Sequence, residues 1–273
     1  MSGDSSSIVT YRDLISSLRS LGLESGIPVI AHASLSAFGE VRGGAEVVLG
    51  AIQATVSSFI MPSFTSKPEI IPEVGPGDNA IQYGSGSESN LLAEFFRQDM
   101  PADKIMGVIP ETLRALHGSS RSNHPLLSFT GVHADNILNV QSLLEPLGPI
   151  RLLSEHGGWV LMLGVNHTVN TSLHYAEKMA GRKQFVRWAL TMDGIRECPG
   201  YPGCSDGFQA IQPRLERFTR RVRIGKALVQ AIPLKDLLTT TISLLAEDPQ
   251  ALLCNRIECE RCNAVRHAVQ TAS

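Results

Sequence analysis

The chain has 273 residues, 43% of them hydrophobic and 18% charged, which fits one large globular domain or two small ones with a well-filled core. Twenty-six acidic residues against 24 basic ones leave a net charge of −2, so no overall field marks a nucleic-acid or membrane-surface binder. Five cysteines, an odd number confined to the last third, suit thiols or metal ligands in a reduced compartment better than a disulfide scaffold.

The first 26 residues have no basic region followed by an uninterrupted apolar stretch, and no later run approaches the ~18 to 20 apolar residues of a membrane span, so a cytoplasmic protein is expected. Thr10 is the expected N-cap of a helix over about 11–22, with Leu14, Leu18 and Leu21 on one face and a stop at "LESG". "IPVIAHASL" reads as a buried strand entering a polar loop, "GGAEVVLGAIQATV" as a helix, and "FIMPSF" as a short strand that Pro62 terminates. Strand, loop, helix, strand in that order points to a layered α/β fold. Residues 66–90, rich in Pro, Gly, Ser and acids, predict a long surface loop before a helix over about 89–98. Pro110 is expected at the first position of a further helix.

"WVLMLGV" is the strongest strand in the chain, and "TSLHYAEKMAG" is the helix after it, capped by Asn170 or Thr171 and stopped at Gly181. Beyond it, a strand or two are expected around "RVRIGKALVQAI" and a helix over about 233–246. The simplest organisation is one domain over 1–273 with a Cys-containing C-terminal element at about 198–273.

Several groups along this scaffold carry chemistry. The small residues of "AHASLSAFG", including Ser34, Leu35 and Ser36, let backbone N–H groups approach an anionic ligand. In "RSNHP", Arg121, Ser122 and His124 together form a candidate clamp for phosphate or carboxylate. Between Glu69 and Glu111, eight acids against two bases would attract a cation, while between Arg214 and Lys226 six bases face one acid; solvated faces explain both runs equally well. His174 and Glu177 are three apart, so in a helix they share a face, at the carboxyl end of a buried strand where ligand sites of open α/β sheets lie. Spacing alone also fits an ordinary solvated helix face. Cys204, Cys254, Cys259 and Cys262 supply the ligands of a closed structural zinc site, with Cys198 or His267 as alternative fourth ligand; unligated thiols are the competing reading.

Taken together, "HASLSAFG", "MPSFT", "MGVIPETLR", "RSNHP", "VLMLGV" and "TSLHYAE" resemble the aminoglycoside 3-N-acetyltransferase family over residues 10 to about 190, the C-terminal third matching more loosely. The resemblance implies an α/β fold, layered α/β/α around a central mixed sheet, and transfer of an acetyl group from acetyl-coenzyme A to an amine, the chemistry by which relatives inactivate antibiotics. It implies direct transfer in a ternary complex, with His174 as general base and Glu177 holding the ring. By the same likeness, Ser34, Leu35, Ser36, Arg121 and Ser122 hold the coenzyme and Glu111 faces an amine-rich acceptor. Donors near Ser63, Thr65 and Ser172 stabilise the oxyanion. A homo-oligomer is compatible with this reading. Two competing expectations are a metal-dependent hydrolase that uses His174 and Glu177 as ligands, with His167 or His124, and a non-catalytic coenzyme A-binding relative.

Overall fold

A computed structural model describes residues 8–23 and 26–272. It begins with α1 (Tyr11–Ser20), where Thr10 and Asp13 form a reciprocal capping box, and Leu14 and Leu18 are buried on one face. Glu24 and Ser25, part of the expected helix stop, lie outside the described residues. Then follow β1 (Pro28–Ala33), α2 (Gly44–Gln53), β2 (Ser58–Pro62), β3 (Glu69–Ile70) and α3 (Val108–Ala115). Next come β4 (Ser119–Arg121), β5 (Phe129–Val132), α4 (Asp135–Leu138), α5 (Gly148–Glu155), β6 (Trp159–Leu163) and α6 (Ser172–Met179). The chain closes with β7 (Phe185–Thr191), β8 (Gly194–Tyr201), α7 (Gln212–Leu215), β9 (Arg220–Ile224), β10 (Ala227–Pro233), α8 (Leu234–Glu247) and α9 (Glu260–Ala272).

Seven strands form a mixed sheet in the order β4-β5-β2-β1-β6-β10-β9, with β1 parallel to both β2 and β6 and the outer strands antiparallel. Side chains alternate across it. Val29, Ala31, Phe59, Met61, Leu161 and Leu163 pack with α1, α2 and α3 on one face. Ile30, Ile60, Val160 and Met162 pack with α5, α6 and α8 on the other. Both faces are covered, which is why the central strands read as continuous apolar runs. A small second sheet, β3-β7-β8, lies outside this stack with its own apolar contacts.

Two expected elements differ. Residues 89–98 form only a 3₁₀ turn at Ser89–Leu92. Beyond it the backbone is extended, because Glu94 N–H bonds the Lys67 carbonyl and Phe96 N–H bonds the Leu190 carbonyl. Those tertiary bonds outweigh the helical pattern. Pro110 is the third residue of α3, which Gly107 begins at φ 90°. The proline still costs nothing there, since the first four N–H groups of a helix lack partners within it.

Candidate active site

Strand β6 is followed by Gly164, whose φ of 69° lets the chain turn sharply; a Cβ there would collide with the Cβ of Ala37. This close approach brings the 34–38 turn against the 164–169 segment. Together with the β9–β10 hairpin they line a cleft of about 490 Å³, with Ser34, Ala37, Asn166 and Lys226 on its walls. The cleft opens at the carboxyl ends of the parallel strands β1 and β6. Lys226 is exposed there and has no ion-pair partner among the described residues.

The same β6 end leads into α6. Asn170 accepts a hydrogen bond from Ser172 N–H and so caps the helix, and Gly181 with φ 75° follows its end. His174 is nearly buried, with its Nδ1 2.8 Å from Glu177 Oε2. The other carboxylate oxygen, Oε1, accepts from Arg182 Nη1 at 2.7 Å, and Arg182 Nη2 donates to the carbonyls of Pro249 and Ala251. The Phe208 ring packs beside the imidazole with centroids 4.7 Å apart. With Nδ1 committed to the carboxylate, Nε2 is the nitrogen left for a ligand. Glu177 has one oxygen on the imidazole and the other on a guanidinium, so the pair face each other and not a shared cation. With those contacts made, the pair does not present the shared cation site that the alternative metal-dependent hydrolase would need.

Thr171 precedes His174 by three residues, on the same helix face, and its hydroxyl has no hydrogen-bond partner among the described residues. Ser172 precedes it by two, which turns its buried, unpartnered hydroxyl to the opposite face. That separates Ser172 from the imidazole. Ser63 is also occupied: its hydroxyl donates to the Ser128 carbonyl and accepts from Thr130. Thr65 is buried nearby, its hydroxyl accepting from Lys67 N–H at 3.4 Å.

The clamp expected in "RSNHP" is turned inward. Arg121 donates from Nε to Ser128 Oγ at 2.9 Å, from Nη1 to the Gln98 and Met100 carbonyls, and from Nη2 to the Ser63 carbonyl at 2.6 Å. Burial pulls its pKa down to about 10. Ser122 closes a reciprocal pair with Phe129, and His124 accepts on Nδ1 from Leu126 and Leu127 N–H. Four of the guanidinium's five donors are spent on the protein itself, so an anion clamp at Arg121 and Ser122 is corrected to a bolt joining the 96–100 segment to β2 and β5. Ser34, by contrast, lines the cleft, its hydroxyl 3.2 Å from that of Ser36.

Glu111 is likewise engaged. Arg114 grips both its oxygens at 2.9 and 2.6 Å, and Ala102 N–H adds a third bond. These bonds, chiefly that to Arg114, hold its carboxyl below the usual range. Three more acids of the run are paired with cations, Glu69 with Arg187, Glu94 with Lys67 and Asp99 with Arg97. Two of those cations lie outside the counted run, so the local tally overstates the field an acceptor would meet.

Three further histidines are buried and neutral. Burial, and for His32 also the nearby His167, lowers His32 to about 3; burial lowers His124 to about 4; burial, then Arg221, lowers His167 to about 4. The four cysteines expected as ligands do converge: the sulfurs of Cys204, Cys254, Cys259 and Cys262 all lie within 4.8 Å of one another. No other group of three or more metal-binding side chains occurs among the described residues. Neither alternative fourth ligand joins them, since Cys198 is buried in β8 and His267 Nδ1 is 2.7 Å from Asp78 Oδ2. No helix among the described residues is long and apolar enough to cross a membrane.

The family model for aminoglycoside 3-N-acetyltransferase matches residues 30–246. The chain is 32% identical over 187 residues to the SPbeta prophage-derived aminoglycoside N(3')-acetyltransferase-like protein YokD of Bacillus subtilis (strain 168), covering 62% of this chain and 64% of that one. It is 31% identical over 205 residues to aminoglycoside N(3)-acetyltransferase VIII of Streptomyces fradiae, covering 69% and 68%. The solved structure of AAC-IIIb binary with CoASH has the same fold, with a TM-score of 0.72 at 24% identity over 88% of this chain and 97% of that one.

Proposed function

The chain belongs to the aminoglycoside 3-N-acetyltransferase family, and from that premise we propose that it transfers the acetyl group of acetyl-coenzyme A to an amino group of an aminoglycoside or a related amine. The observation that carries the reading is the arrangement Arg182–Glu177–His174, which fixes an imidazole with one nitrogen free at the end of a parallel strand.

An ammonium group cannot attack a thioester, because its lone pair holds a proton. His174 Nε2 takes that proton, and the carboxylate of Glu177 balances the imidazolium that forms. The freed nitrogen adds to the thioester carbonyl carbon. The hydroxyl of Thr171, at the positive end of α6, donates to the resulting oxyanion. Collapse breaks the carbon–sulfur bond; the departing thiolate accepts the proton from His174 and leaves as free coenzyme A, while the second proton of the amine nitrogen passes to solvent to give the neutral amide. Transfer is direct in a ternary complex, and no cysteine takes part.

The coenzyme is assigned to the cleft at Ser34, Leu35, Ser36 and Asn166, with Lys226 meeting its phosphates. The CoASH held by a relative of the same fold supports the donor. The test is thiol release from acetyl-coenzyme A across a panel of aminoglycosides, polyamines and amino sugars. Release with any of these amines above the buffer rate supports the reading; none with any amine contradicts it.

A further inference from the structure

Cys204 lies in the loop after β8, while Cys254, Cys259 and Cys262 lie before and at the start of α9, so the quartet joins two segments about 50 residues apart in sequence. All four are free thiols. A zinc tetrathiolate with Zn–S bonds of about 2.3 Å has sulfur–sulfur edges of about 3.8 Å, so sulfurs within 4.8 Å need to move inward by less than a bond length.

Three independent features point the same way. First, Asp206 N–H donates to Cys204 Sγ at 3.5 Å and Cys254 N–H to Cys262 Sγ at 3.4 Å, bonds that favour sulfur as thiolate. Second, the quartet is ringed by guanidinium groups. Arg256 reaches Cys204 Sγ at 3.9 Å, Arg266 donates to the Cys254 carbonyl, and Arg261 to the Gly203 carbonyl. Four thiolates on one divalent ion carry a net charge of −2, which Arg261 and Arg266 offset, Arg256 being shared with the Asp206 carboxylate. Third, the two segments meet backbone to backbone. A Cβ on Gly207 would lie 2.6 Å from the Leu253 carbonyl oxygen, and Leu252 is held at φ 65°, a left-handed conformation costly for a branched side chain.

We propose that Cys204, Cys254, Cys259 and Cys262 bind one structural zinc ion that fastens the C-terminal element to the loop after β8. Zinc displaces four thiol protons to solvent and leaves no open coordination position, so the ion is structural and takes no part in acetyl transfer. The element it fastens includes Pro249 and Ala251, whose carbonyls hold Arg182. That last link rests on the proposed acetyltransferase reading; the metal site itself does not.

Metal analysis of the full chain, purified in reductant and dialysed against zinc, should find about one zinc per chain. It should remain in His174→Ala and fall at least tenfold in Cys259→Ser. Cobalt-loaded wild-type protein, which needs no variant to fold, should show thiolate-to-metal charge transfer and the strong visible bands of a tetrahedral tetrathiolate. Removing zinc with a chelator should open the 249–260 segment to protease. No metal at saturating zinc, iron in its place, a cobalt spectrum of nitrogen and oxygen ligation, or metal lost with His174→Ala would each overturn the proposal. Because metal content is read without any acetyl acceptor, an inactive protein with full zinc separates this site from the proposed function.

Discussion

The carboxylate of Glu177 is shared between two neighbours, His174 Nδ1 at 2.8 Å on one oxygen and Arg182 Nη1 at 2.7 Å on the other. Both partners and the carboxylate are buried. A buried carboxylate with each oxygen on a separate donor has little freedom to rotate, and the imidazole it holds is fixed in one tautomer and one orientation.

Glu177→Gln keeps the shape and removes the charge. The amide can turn its N–H to Nδ1 and leave Nε2 protonated, the wrong tautomer for a base. We expect kcat to fall by about 10²- to 10⁴-fold with little change in coenzyme KM. Steady-state kinetics check it, and an unchanged kcat would mean that the carboxylate only supports the fold.

Arg121→Met separates the structural reading of this guanidinium from a coenzyme clamp. The substitution leaves several buried carbonyls without a donor, so folding stability should drop by about 3 kcal/mol or more. Urea unfolding measures that loss, and titration of the folded fraction with coenzyme A should give an unaltered Kd. A weaker Kd with unchanged stability would return Arg121 to the ligand site.

The expectations from sequence divide along a physical line. Elements set by local pattern are present where the pattern lies: the Thr10 cap, the β1 and β6 runs, and the α6 helix that puts His174 and Glu177 together. What failed depends on contacts across the chain. The 89–98 segment is drawn into extended structure by Lys67 and Leu190, and the Arg121 donors are claimed by carbonyls as distant as Ser63. Arg182 and Phe208 escaped notice because each reaches His174 or Glu177 through folding, with no motif around it, and Lys226 was read only as one base of the 214–226 run, with nothing local to set it at the cleft. The four cysteines were readable as a set because thiols are rare enough to count.

Lys226→Ala tests the cleft assignment. One exposed ammonium–phosphate contact contributes roughly 1 kcal/mol, so coenzyme A should bind about fivefold more weakly at low salt. The difference should shrink as salt screens the pair. Isothermal titration at two ionic strengths decides it, and a Kd that does not change at either would move the coenzyme elsewhere.

Stability should depend on pH through His32, His124 and His167, whose folded values of about 3, 4 and 4 lie well below the usual 6.5. The unfolded chain binds protons at these groups first. Their contribution is therefore complete above about pH 6.5 and is lost as pH falls from there towards 4. Urea midpoints measured from pH 7.5 to 4 should decline through that window, and a flat profile would mean that these rings are not buried neutral.

The central claim is that His174 removes the proton from the acceptor amine, and single-turnover thiol release with His174→Ala tests it most directly. With acetyl-coenzyme A and an aminoglycoside that the wild-type protein accepts, release should slow by about 10²- to 10⁴-fold while coenzyme affinity is kept. Release at the wild-type rate by a folded, coenzyme-bound variant would contradict it.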